Sequence, residues 1–143
     1  MVAVDTNVLV YAHRAESAFH TAAYACLQQL AEGGQPWGIP VSCLHEFLAV
    51  VTSPKIFNPA SSYAQALIQV DAWLASPTAQ VLHSGLQHWH VLSDITRKAK
   101  LQGDQFHDAR IAAICIENSV SLLWSADRDF GRFKGLKTVN PLV

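Results

Sequence analysis

A chain of 143 residues, half of them hydrophobic and only 15% charged, is the size of one ordinary domain and can bury a core without disulfide or metal staples. About 25% charge is usual for a globular domain, and the balance excludes disorder, collagen and a coiled coil. The net charge of −1 excludes a polycationic nucleic-acid binder. A folded monomer of 15.6 kDa should expose roughly 7,200 Å². The shortage of charge on that surface is expected to mean that another protein covers part of it. Residues 1–96 carry a balance of −4 and residues 97–143 one of +3, a split that chance alone accounts for and that is at most a mild sign of a polyanionic ligand. Cys26, Cys43 and Cys115 are odd in number, far apart and set among apolar residues, so they read as buried free thiols of a reducing compartment. Asp5 interrupts any apolar leader, and no apolar run is long enough to span a bilayer. A cytosolic protein without membrane contact is expected.

In chain order, Val2-Ala3-Val4 is a β-prone run ending at Asp5, and Asn7 to His13 reads as a short helix. Ser17 is placed to cap a second helix to about Ala31, which Gly33-Gly34 ends. Trp37 to Ile39 reads as a strand. Ser42 is placed to cap a helix whose Leu44, Phe47, Leu48 and Val51 form a core stripe, and Pro54 stops it. Ser61 or Ser62 opens the next helix, with Tyr63, Leu67, Val70 and Leu74 expected on one face. Gln80 to His83 reads as a strand. A helix from about Gln87 to Leu101 is broken by Gly103. Asp104 is placed to cap a helix from Gln105 to Asn118, apolar nearly all round and so expected to be buried. Ser121 to Trp124 and Lys137 to Val139 read as short strands. Short strands separated by helices imply parallel β-α units in one α/β domain over residues 1–143, a three-layer sandwich around a small parallel sheet. Ligands of such sheets bind at the carboxyl ends of strands. Asp5 and Asp127 lie there.

Taken singly, the acids have ordinary readings. Asp5 suits a helix N-cap. Glu46 lies off the core stripe and suits solvent. Asp127 and Asp129 suit turns. Asp108 is harder to place, in the first turn of a helix expected to be internal. A helix dipole gives a carboxylate there only about 0.3–1 kcal/mol. Burying it unpaired costs several times more, so it needs a cation. Together, two acids at strand ends and two on helices are what a metal-dependent phosphodiesterase requires. Mg²⁺ and Mn²⁺ prefer carboxylate oxygen, and without them crowded carboxylates repel and take up protons.

Val4-Asp5-Thr6-Asn7-Val8-Leu9-Val10-Tyr11-Ala12 opens the chain, followed by Glu46-Phe47 with Val50 and Thr52, then His107-Asp108-Ala109-Arg110-Ile111-Ala112-Ala113. Ser125 to Phe133, Gly135-Leu136 and Asn140-Pro141-Leu142 close it. In this set, over essentially its whole length, the chain resembles the PIN-domain ribonucleases, and among them the VapC toxins of bacterial toxin–antitoxin pairs. The resemblance implies a PIN-like three-layer α/β/α sandwich with a metal-binding and catalytic quartet at Asp5, Glu46, Asp108 and Asp127. Asn7 and Ser125 match polar positions beside the site, and Asp129 matches the second acid of the closing motif. Asp104 is extra and reads first as a helix cap, with an outer-sphere metal role second. The implied activity is that of an endoribonuclease using one or two Mg²⁺ or Mn²⁺ ions and water, leaving 5′-phosphate and 3′-hydroxyl ends on single-stranded or looped RNA. Arg110, Arg128, Arg132 and Lys134 are placed to hold flanking phosphates. The implied partners are a second copy, in a homodimer and higher toxin–antitoxin assembly, and a small VapB-like antitoxin. Helices around residues 17–31 and 61–75 could frame the antitoxin's groove.

Seven histidines do not make a zinc site, because His88-Trp89-His90 has no partner at ligand spacing and the cysteines never pair as Cys-x-x-Cys. Two alternatives stay open on the residues alone. One is a phosphatase with Asp5 as nucleophile, although such enzymes usually have a second Asp where Asn7 stands. The other is a PIN-like binding module that only docks a partner.

Overall fold

Five strands, β1 (Val2–Val4), β2 (Trp37–Pro40), β3 (Ala79–Leu82), β4 (Leu122–Trp124) and β5 (Thr138–Val139), pair in parallel in the order β3-β2-β1-β4-β5. The computed structural model describes all 143 residues. A parallel sheet must be covered on both faces, and the strands supply the apolar residues for this: Ala3, Val4, Ile39 and Leu123 are fully buried. Six helices do the covering: α1 (Thr6–His13), α2 (His20–Glu32), α3 (Val41–Val51), α4 (Tyr63–Leu74), α5 (His88–Ala99) and α6 (Gln105–Glu117). Right-handed crossovers put α1 to α4 on one face and α5 and α6, which lead back to β4, on the other. The packing agrees: α1 lies on α2 and α3, α3 on α4, and α5 on α6. This is the expected α/β/α sandwich.

The order reverses between β1 and β4, since β2 and β3 extend the sheet one way and β4 and β5 the other. That reversal opens a crevice at the carboxyl ends of β1 and β4. Asp5 follows β1 there, and Ser125 to Asp127 follow β4. β2 and β3 meet so closely that a Cβ on Gly38 would stand 2.6 Å from Leu82 Cγ, so only glycine fits. Gly103, at φ +61°, makes the turn between α5 and α6 that a side chain would strain.

Local details differ from the sequence reading. Ser17 does not cap α2; its Oγ accepts the Phe19 N–H at 3.1 Å and closes a turn before the helix. Ser42 does not cap α3, because β2 runs directly into the helix and Pro40 takes the cap position; Ser42 is buried inside the first turn. Asp104 stands at the cap position of α6 but makes no capping bond. Ser62 does open α4, in a reciprocal capping box with Gln65. The core face of α4 is Ala66 and Val70, with Trp73 half-buried, whereas Tyr63 and Leu67 are exposed. Cys43 and Cys115 are buried and Cys26 half-buried, all as free thiols. Trp37 is in the core, while Trp89 stands on the surface.

Candidate active site

The crevice contains a hydrogen-bond relay that joins the two strand ends. Asp5 is 4% exposed. Its Oδ1 accepts the Thr6 N–H at 2.8 Å, capping α1, and the Cys43 thiol at 3.7 Å. Its Oδ2 accepts the Ser125 hydroxyl at 2.6 Å. The same Ser125 oxygen accepts the Asp127 N–H at 2.9 Å, and Asp127 Oδ1 accepts the Asp129 N–H at 2.8 Å. Asn7 Oδ1 accepts the Ala126 N–H at 3.2 Å. Asp5 and Asp127 therefore act as caps while both also line the crevice. The two readings do not compete.

Asp5, Asn7, Glu46, Asp108 and Asp127 line one cavity of 320 Å³. α3 carries Glu46 to it, and the first turn of α6 carries Asp108. Carboxylate oxygens of Asp108, Asp127 and Asp129 all lie within 4.8 Å of one another. Asp129 is therefore nearer to this centre than the sequence pattern implied, because a 3₁₀ turn (Arg128–Arg132) folds it back beside Asp127. Arg132 steadies it: Nε donates to the Asp129 carbonyl at 3.0 Å, and the guanidinium stands 3.8 Å from its carboxylate. The walls include Ile56 and Phe57, from the loop after α3. Nothing in the sequence marked that pair as part of a site.

The electrostatics record the crowding. Burial first, then the charges of Asp127, Asp5 and Asp129, push the Asp108 carboxyl up to about 6, against the pull of Arg132. Burial also raises Asp5, although its hydrogen bonds from Ser125 and Thr6 oppose this. Burial raises the Cys43 thiol, next to the Asp5 charge, well above its ordinary value, so it meets Asp5 as a neutral donor. Carboxylates held near one another at this cost are matched by a dication. The donor set is all oxygen, without histidine or cysteine, and fits Mg²⁺ or Mn²⁺ rather than zinc.

The remaining predicted residues are spread out. Asp104 is exposed and does not line the cavity. Arg110 is exposed on α6. Arg128 borders an adjoining depression with Gly131 and Asn140, which Ser125 and Asp127 also line. Lys134 lines a different cavity altogether, which Arg132 shares.

The fold and this carboxylate crevice define a class. A model of the PIN domain matches residues 2–136, and the chain belongs to the PIN domain family. Within it the chain falls with the VapC ribonucleases. It is 40% identical over 142 residues, 99% of its length and 96% of theirs, to ribonuclease VapC43 of Mycobacterium tuberculosis and to a VapC ribonuclease of Mycobacterium bovis. It is 30% identical over 141 residues, 99% of each chain, to ribonuclease VapC31 of Mycobacterium tuberculosis. The fold is shared with the VapBC2 structure of Rickettsia felis bound to a promoter DNA fragment, at a TM-score of 0.71 and 18% identity over 97% of this chain and 98% of that one. It is shared too with VapC20 of Mycobacterium tuberculosis, a sarcin–ricin-loop-cleaving toxin, at 0.65 and 17% over 92% and 93%. No helix is long and apolar enough to cross a membrane.

Proposed function

We propose that the chain is a divalent-metal-dependent endoribonuclease and the toxin of a toxin–antitoxin pair. The observation that carries this reading is the convergence of Asp108, Asp127 and Asp129 oxygens within 4.8 Å, at a cavity that Asp5 and Glu46 also line. Asp108 and Asp127 would hold the ion, with Asp129, Asp5 and Glu46 in support. When bound, Mg²⁺ or Mn²⁺ supplies Lewis acidity toward a phosphodiester and lowers the pKa of water. The chain's own groups fix the geometry. Ser125 spaces Asp5 from Asp127, and Arg132 holds Asp129 beside them. Val10, Val50, Ile56 and Phe57 give the cavity apolar walls that limit bulk water. This arrangement has no need of the RNA 2′-hydroxyl, so 5′-phosphate and 3′-hydroxyl ends are expected.

The relay also speaks against the phosphatase alternative. Both Asp5 oxygens are hydrogen-bonded and the residue is almost wholly buried, which is poor placement for a nucleophile. The antitoxin reading has support in a 260 Å³ groove between α2 and α4, lined by Tyr24, Leu27, Gln69 and Trp73. It is apolar enough for an amphipathic helix. The test is sequencing of 5′-phosphate RNA ends after induced expression. The wild type should generate a defined new set of ends. Asp5→Ala should generate none; the same ends from both proteins would overturn the reading.

A further inference from the structure

A cavity of 520 Å³ lies between α5 and the segment after the 3₁₀ turn, apart from the carboxylates. Its floor is apolar, with Ile95 and Phe133 buried and Val91 and Ile116 half-buried. Its rim carries Lys98, Arg132 and Lys134 against a single acid, Asp94, which Lys98 already meets at 3.0 Å. This is the reverse of the balance in a chain of net charge −1. α5 and α6 run antiparallel, since His88 at the start of α5 bonds Glu117 at the end of α6 at 2.6 Å. The end of α5 that bears Lys98 therefore lies beside the start of α6, which bears Asp108. Arg132 joins the two places, lining this cavity while bonding the Asp129 carbonyl.

We propose that this cavity is a nucleotide subsite for the substrate RNA. One unstacked base enters the apolar floor, and the neighbouring phosphates lie on Lys98, Arg132 and Lys134. The inference rests on the ribonuclease reading above. A volume of 520 Å³ falls within the range of about 300–1,000 Å³ typical of sites for compact organic ligands. The apolar floor argues against a bare inorganic anion, and the three cations argue against a purely apolar ligand. Single-stranded RNA is read by splaying bases onto aromatic rings and guanidinium planes; Phe133 is buried beneath the floor, so the plane offered to a base is the partly exposed guanidinium of Arg132. Lys98, 76% exposed, is free to swing to a phosphate. Such a subsite sets which nucleotide stands near the cleaved bond, so it governs the choice of cleavage site. It also gives the basic C-terminal third of the chain a ligand.

Two variants separate the parts. Lys98→Gln with Lys134→Gln removes charge from exposed positions. Gly135→Leu fills the cavity without forcing the backbone, because a Cβ there meets only Ile116 Cδ1, at 3.5 Å. Binding of fluorescent adenine, uracil and cytosine homo-oligoribonucleotides is measured by anisotropy in EDTA, across a salt series. The lysine pair should weaken all three RNAs alike and lower the slope of log affinity on log salt by about 1.4. Gly135→Leu should weaken binding about fivefold, the low end of a stacking contribution, and flatten the preference among bases with the slope unchanged. Hydrolysis of bis(p-nitrophenyl) phosphate with Mn²⁺, which needs only the carboxylates, should be the same in all proteins. Wild-type affinity, preference and salt slope in both variants would overturn the subsite. So would lost hydrolysis of the small ester, which would assign these residues to the metal site or the fold. Unchanged RNA binding with lost retention of a co-expressed antitoxin would overturn it in favour of a protein ligand. If RNA binding behaves as expected while wild type hydrolyses neither substrate, the subsite stands and the ribonuclease reading fails.

Discussion

Ser125 holds two acids with one oxygen, donating to Asp5 and accepting from the Asp127 N–H. Ser125→Ala leaves a buried Asp5 oxygen without its donor. The expected loss is about 1–3 kcal/mol of stability and about 10- to 100-fold in activity, as for other groups that orient metal ligands. Ser125→Thr keeps the hydroxyl and should restore most of both, as urea unfolding and RNA cleavage of the three proteins will check. Asp108 gives the pH dependence. Its carboxyl is raised in the folded chain to about 6 from an ordinary 3.8, so the folded state holds this proton more tightly than the unfolded one. Ionised Asp108 therefore costs stability above about pH 6, and that cost fades as the pH falls toward about 4. Asp108→Asn should raise Tm at neutral pH by an amount that shrinks to nothing near the lower value. Mn²⁺ should raise the neutral-pH Tm of the wild type more than that of the variant. Thermal scans over the pH range check both; a gain independent of pH contradicts the assignment.

At the scale of elements, the sheet and its helices were legible because each apolar run has a length and an end that only one element fits. Val2 to Val4 stops at Asp5, and the all-round apolar character of α6 does place it in the interior, with Ile111 to Cys115 buried. The caps were less legible. A serine hydroxyl serves any nearby N–H, and whether a helix starts at Ser42 depends on β2 running straight into it. The face of α4 was misread because Tyr63 and Leu67 look alike whether they meet the core or a partner. In the site, Asp5 and Asp127 were legible from strand ends and Asp108 from its conflict with an apolar helix. The place of Asp129 depends on how tightly a 3₁₀ turn folds, and Ile56 and Phe57 come from an irregular loop, so no periodicity could reveal them. Gly38 offers a test of sheet packing. Gly38→Ala drives a methyl into the Leu82 side chain and should cost about 1–3 kcal/mol in urea unfolding. An unchanged midpoint would contradict the close approach of β2 and β3.

For the whole molecule, the missing charge has a location. The chain exposes 8121 Å², about 900 Å² more than expected for its mass. Tyr24 on α2 and Tyr63, Leu67 and Ile68 on α4 are among its exposed large hydrophobic residues, on the two helices that line the α2–α4 groove. Self-association or antitoxin binding is expected to cover them. Ile68→Glu should shift sedimentation of the isolated chain toward monomer while leaving cleavage intact; a wild type that is already a monodisperse monomer contradicts self-association and leaves the chemistry standing. Cleavage of single-stranded RNA by the purified wild type and Asp108→Asn, with Mg²⁺, Mn²⁺ or EDTA, is the decisive measurement of that chemistry. The wild type should cut only with metal and leave 5′-phosphates, and the folded variant should not cut. Undiminished metal-dependent cleavage by Asp108→Asn would contradict a metal-holding role for this carboxylate.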